Sequence, residues 1–180
     1  MKPNSLQELY VEQLRDLYDG EQQIIKALPE MIEAATSQDL KGALSEHLQV
    51  TQTQAARLEQ IFDTFGEKAK GERCKGIEGV IEEGSDLIDD IKDVDVRDAA
   101  IIASAQRVEH YEMAGYGTAR TYARLLGEEE ASQLLQQTLD EEKEADQRLT
   151  ELADDVNVAA ESGTMDEGTR RATQKGRRVA

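Results

Sequence analysis

The tightest constraint on this chain is the stretch Gln106-Arg107-Val108-Glu109-His110-Tyr111-Glu112. Glu109 and Glu112 are three residues apart and share one face of a helix. The rest of that face is apolar or small: Ile102, Ala105, Tyr116, Ala119 and Ala123. A stripe of this kind points at a core. Two carboxylates inside it cannot stay charged alone, because an unpaired buried charge costs on the order of several kcal/mol. A cation, a proton or an arginine must compensate, and the other elements must bring it.

Those elements read as helices. Ser5-Leu6-Gln7-Glu8 is a capping box. It opens a periodic stretch, Leu6, Leu9, Leu14, Tyr18, Glu21, Ile25, Leu28 and Ile32, that predicts helix A over 6–36, kinked at Pro29. Ser37 caps helix B, over 38–65, which Gly66 ends. Its inward stripe runs Leu40, Leu44, His47, Leu48, Thr51, Gln54, Ala55, Leu58, Phe62 and turns polar in the middle. Asp95 caps helix C, over 96–126. Glu128, Glu129 and Glu130 suit the first turn of helix D, where the helix dipole favours acids. Helix D runs to about 155 with Leu135, Leu139, Glu142, Ala145, Leu149 and Leu152 inward. Residues 67–95 are too long for a tight turn. Gly66, Gly71 and Gly76 mark a loop there. Ile77, Val80, Ile81, Leu87, Ile88 and Ile91 mark a short helix interrupted at Gly84. The class is all-α: two helical hairpins joined by one long crossover with a short extra helix inside it. A single long crossover is the ferritin-like four-helix arrangement, whereas a short loop gives a plain up-down bundle.

Two prolines, no tryptophan and few aromatics agree with helices. One domain is expected over 1–160. Residues 161–180 are rich in Gly, Thr, Arg and Lys and predict a disordered basic tail. Its Lys175-Gly176-Arg177-Arg178 reads as a solvated end or a weak polyanion contact. The net charge of -17 argues against nucleic acid, whose phosphates need a cationic surface, and against anionic membranes. The acidity reads as a self-repelling soluble surface, or as acids that attract cations. Cys74 is the one cysteine, so no internal disulfide forms, and a reducing interior is its natural compartment. No apolar signal core and no run of ~18 apolar residues is present. A cytoplasmic protein is expected.

The midpoints of the four long helices carry the chemistry. Helix A is centred on Glu21, helix B near Thr51, helix C on Tyr111 between Glu109 and Glu112, and helix D near Glu142. Packed side by side, helices of similar length bring Glu21, Glu109, Glu112 and Glu142 to one level. Four carboxylates at one depth cannot all ionise without cations. Two divalent metals bridged by carboxylates resolve that charge, and oxygen ligands with some imidazole suit iron or manganese. His47 is the histidine on an inward stripe, one turn before Thr51. Asp146 lies one turn after Glu142, and both are displaced toward the same end. They complete coordination or support it from behind. The competing account pairs the acids with Arg15, Arg107 or Arg148, or turns them to solvent. His110 is read as an interface or surface residue, Tyr18 and Tyr116 as core packing or electron relays, Glu141 as solvated and Cys74 as a spectator.

Four strings resemble the YciE/YciF-type family of ferritin-like stress proteins over residues 5–155. They are Gln106 to Glu112 with Ala114-Gly115-Tyr116-Gly117, then Leu17-Tyr18-Asp19-Gly20-Glu21-Gln22, Cys74-Lys75-Gly76-Ile77-Glu78-Gly79, and Leu139-Asp140-Glu141-Glu142-Lys143. The resemblance implies a helical protein, often dimeric, tied to stress responses. The wider resemblance is to rubrerythrin, where helix A gives one Glu, B and D each give Glu-x-x-His, and C gives Glu-x-x-Glu. Glu21, Glu109, Glu112 and Glu142 match that pattern. Thr51-Gln52-Thr53-Gln54 and Ala145 depart from it. Three functions follow as expectations: a metal-binding or iron-handling protein, a peroxide- or oxygen-consuming di-metal oxidoreductase, or a structural dimeric bundle with a vestigial site. A homodimer and metal ions are the expected partners.

Overall fold

The computed structural model describes residues 3–66 and 69–176, of which 163–176 by their backbone alone. Among the described residues it is all helix: α1 (Leu6–Ala34), α2 (Gln38–Thr64), α3 (Lys75–Asp90), α4 (Val94–Leu126) and α5 (Glu129–Gly176). The all-α expectation holds, and no strand occurs among the described residues. α1 starts as its capping box requires, with the Ser5 hydroxyl accepting from the Glu8 amide at 3.1 Å. It continues through Pro29 to Ala34.

Four features differ from the sequence reading by more than one residue, each for a local reason. α1 stops at Ala34 rather than 36 because the buried Asp98 of α4 accepts the amides of Thr36 and Ser37, both at 2.7 Å. That carboxylate replaces the next turn of helix. α4 starts two residues early, since Asp93, not Asp95, accepts from the amides of Asp95 and Val96. α3 runs through Gly84 without a break. A side chain there would meet the Ser104 Cβ at 3.0 Å, so the glycine is a point of close packing on α4 rather than an interruption. α5 continues past 155 to Gly176 over a stretch without proline. The side chains of 163–176 and all of 177–180 are outside the described residues, and most of the expected basic tail lies there.

Among the long helices, α1 packs on α2 and α4, and α5 packs on α2 and α4, while α3 lies against α4 and α1. Neighbours run antiparallel: the Arg97 guanidinium near the start of α4 donates to the carbonyl of Ala34 at the end of α1. Apolar packing is split into two clusters along the helix axes. One holds Leu14, Leu17, Phe62, Tyr116, Ala119 and Leu135. The other holds Ile24, Leu28, Leu40, Ile101, Val108 and Leu149. In every long helix the chain passes from one cluster to the other through a polar residue: Glu21 in α1, His47 to Gln54 in α2, Glu109 and Glu112 in α4, Glu142 in α5. The midpoint argument from the sequence therefore finds its level as a polar layer between two apolar ones.

Candidate metal centre

Glu21, Glu109, Glu112 and Glu142 are at most 2% exposed, and His47 is nearly as deep. One ligand atom each from His47, Glu109, Glu112 and Glu142 lies within 4.8 Å of the others. His47 Nε2 is 3.3 Å from Glu109 Oε1. The imidazole expected one turn off the carboxylate level thus reaches it. One turn on, the buried Thr51 hydroxyl donates to the His47 carbonyl at 2.8 Å.

Glu21 belongs to the same electrostatic group, through Glu142 and Glu112, but one of its oxygens is engaged. Its Oε1 accepts a hydrogen bond from the Tyr116 hydroxyl. Tyr116 is therefore neither simple packing nor a bystander. Asp146 stands apart. Its Oδ1 accepts from Gln106 at 3.1 Å and lies 3.4 Å from Nε2 of the exposed His110.

The buried oxygens are short of partners. Among the described residues, Glu21 Oε2, Glu109 Oε2, Glu112 Oε2, both oxygens of Glu142 and Gln54 Oε1 have no hydrogen-bond partner of good geometry, their neighbours being one another's carboxyls and the Gln54 side chain. Native interiors leave few such groups, and each carries a desolvation cost of about 1–3 kcal/mol or more. The arginines considered from the sequence are used elsewhere: Arg107 on Glu83, Arg148 on Glu46, Arg15 beside Glu12. Arg57, which sequence reasoning passed over, forms a two-pronged pair with Glu141 at 2.5 and 2.6 Å. Glu141 is thus an ion-pair partner rather than a solvated acid. A basic residue followed by an acid on a neighbouring helix gives no periodic signal, so only the packed structure reveals the pair.

The electrostatics follow from the burial. Desolvation, then the neighbouring carboxylates, hold Glu109 and Glu112 well above the usual carboxylate range. Glu21 is raised by the same causes, against the opposing Tyr116 hydrogen bond. Burial lifts Glu142 to about 7. It also drops His47 to about 4, so near neutral pH the imidazole is uncharged and able to ligate. Three carboxylates and a neutral imidazole converging in a space of this size form an oxygen-rich donor set that could hold a metal ion.

Comparison with known proteins adds to this geometry. The family described as Domain of unknown function (DUF892) matches residues 5–161. Protein YciF of Escherichia coli K12 is 40% identical over 164 residues, 90% of this chain and 99% of its own length. The crystal structure of that E. coli stress protein superposes with a TM-score of 0.82 at 39% identity, covering 86% of this chain and 98% of the other. YcfI of Rhodopseudomonas palustris, provisionally described as a structural protein, gives 0.80 at 46% identity over 82% and 94%. A protein of Xanthomonas campestris gives 0.73 at 20% identity over 89% and 99%, a likeness of fold.

Proposed function

The chain belongs to the DUF892 family, and from that premise we propose that it is a ferritin-like metal-binding protein of the stress response. The proposed fold is a four-helix bundle of α1, α2, α4 and α5, with α3 inside the single long crossover; the pairing of the helices supports it. The proposed centre is carboxylate-rich and dinuclear, holding iron or manganese. One observation carries the reading: a buried group of carboxylates with a neutral imidazole, five of whose oxygens have no arginine, lysine or hydroxyl partner among the described residues, the Tyr116 bond going to the other oxygen of Glu21. The stress assignment rests on the E. coli relative's description.

His47, Glu109, Glu112 and Glu142 would hold the metal, with the free oxygen of Glu21 beside them. Iron or manganese, when bound, supplies one-electron chemistry toward oxygen or peroxide. The chain's own residues do the rest. Tyr116 fixes Glu21 by its hydroxyl proton. Arg57 draws Glu141 away from the layer. The two apolar clusters exclude water from either end.

The test is a set of thermal melts with and without Fe(II) or Mn(II), on wild type and Glu112→Gln, beside metal analysis of protein purified without chelator. Metal bound to the native state adds about 2.7 kcal/mol at a hundredfold excess over Kd, so the wild-type melt rises by several degrees. Glu112→Gln removes one charge at constant shape. It weakens the metal shift and leaves the apo protein as stable or more so. A wild type that arrives metal-free and melts unchanged with either ion sinks the reading. The second reading, a structural bundle with a vestigial centre, then stands. It is favoured by Thr51, Gln54 and Ala145 at three positions where the rubrerythrin pattern has ligands. Peroxide consumed faster by the loaded protein than by free ion assigns turnover.

A further inference from the structure

A buried metal centre needs a way in, and the structure closes most routes. The two apolar clusters seal the polar layer along the helix axes. On the α1–α4 side the Tyr116 hydroxyl and Glu21 are joined. The α2–α5 seam is bridged on both sides of the layer by arginines, Arg57 on Glu141 and Arg148 on Glu46. Each of those acids is already paired with an arginine, so it draws an approaching cation less strongly.

The α4–α5 seam is different. Asp146 lies one turn beyond Glu142 on α5, so the two carboxylates are neighbours along the helix. Its side chain is 22% exposed, between the buried glutamates and the His110 imidazole, which is 67% exposed. Gln106 of α4 holds it by a 3.1 Å hydrogen bond and also donates to Thr150 at 2.9 Å. Asp146 is close enough for its charge to act on Glu109, whose Oε2 has no partner. Surface imidazole, half-sheltered carboxylate and buried carboxylates thus follow one another inward, and among the described residues none of them has an arginine or lysine within ion-pair distance.

We propose that Asp146, with His110 at its outer side, is the portal through which a divalent cation passes along the α4–α5 seam to the buried centre. This rests on the metal-binding reading above and adds a site to it. Asp146 is a transfer residue, not a permanent ligand: its Oδ1 stays with Gln106 and His110 while the cation moves on to Glu109 and Glu142. A relay has a signature that a ligand lacks. By microscopic reversibility it speeds both arrival and departure, so its loss slows both rates and disturbs the equilibrium less than it slows arrival.

The experiment follows Co(II) uptake by its visible absorption in a stopped-flow instrument, with release followed after chelator is added. Wild type, Asp146→Asn and Glu46→Gln are compared, and circular dichroism checks each fold. Asp146→Asn slows uptake by about tenfold, the lower end of electrostatic steering effects, and slows release too, so that Kd weakens by less than uptake slows and stoichiometry is unchanged. Glu46→Gln makes the same charge change at an exposed acid of the α2–α5 seam and leaves both rates as they were. A weaker Kd in Asp146→Asn with normal uptake makes Asp146 a ligand and overturns the portal. Unchanged rates overturn it as well, as does equal slowing in Glu46→Gln, which makes the effect one of net charge. Those three results leave the centre itself standing. A wild type that binds no Co(II), Fe(II) or Mn(II) at equilibrium overturns the centre and the portal together.

Discussion

Glu142 binds its proton more tightly than a free glutamate, and His47 binds its proton more weakly. The two act on stability in opposite directions. A carboxyl raised from 4.5 to about 7 stabilises the fold while protonated, and that contribution is lost as pH climbs from 4.5 through 7. His47, lowered from 6.5 to about 4, contributes stability present above 6.5 and lost as pH falls toward 4. Glu21, Glu109 and Glu112 shift the same way as Glu142, so the carboxyls outweigh the single imidazole. Metal-free protein should melt several degrees higher at pH 5.5 than at pH 8, as calorimetry at the two values will show, and bound Mn(II) should erase or reverse the difference. Tyr116→Phe removes the donor from Glu21. It should cost about 1–3 kcal/mol in urea unfolding at pH 8 and less at lower pH, since burial favours the neutral Glu21 carboxyl, which needs the donor less. At this scale the sequence was informative where periodicity works: Glu21, Glu109, Glu112 and Glu142 each sit on an apolar stripe, and each is buried. It was silent on Arg57 and on the direction of Asp146, because those depend on how one helix is rotated against the next.

Among the elements, α3 shows how a connection becomes part of the structure. Its start is pinned from two sides. The Cys74 amide donates to Asp19 at 2.8 Å, and its carbonyl accepts from Gln23 at 3.1 Å, both on α1. Its buried thiol lies 3.2 Å from the Tyr111 hydroxyl, which donates to Asp16 at 2.9 Å. Cys74 is a docking residue, not the spectator its place in a crossover implied. Gly76 makes this approach possible, since a Cβ there would sit 2.3 Å from the Tyr111 ring. Gly76→Ala should therefore displace α3 or the ring and cost about 1–3 kcal/mol, the range for overpacking, read as a lower urea midpoint. Cys74→Ser keeps the volume close and should cost less. The four long helices were legible because their stripes exceed six turns. The N-cap of α4 was misplaced by two residues because Asp93 and Asp95 are equally good caps, and only the backbone chooses between them. The shortening of α1 was invisible because Asp98, which causes it, lies 61 residues from Ser37.

For the molecule as a whole, Val156 is the last buried apolar residue among those described. Ending the chain after residue 162 should shift the melting temperature by less than about 2 °C, within the range of surface changes. A larger loss means the remainder is docked. The homodimer expected from the family resemblance would draw on the exposed Leu87 of α3 and Val94 of α4, and light scattering at micromolar concentration should give twice the 20.0 kDa chain mass. The division of the polar layer has a different consequence. The first hairpin, α1 with α2, brings Glu21 and His47; the second, α4 with α5, brings Glu109, Glu112 and Glu142. Neither hairpin owns a complete donor set. A nascent or clipped chain therefore offers an ion only fragments, and the ion's residence time becomes an inspection mark that only a finished assembly carries. Two separately produced halves, 1–68 and 69–180, would make that mark visible, the metal reporting their reunion as a wax seal reports a closed letter.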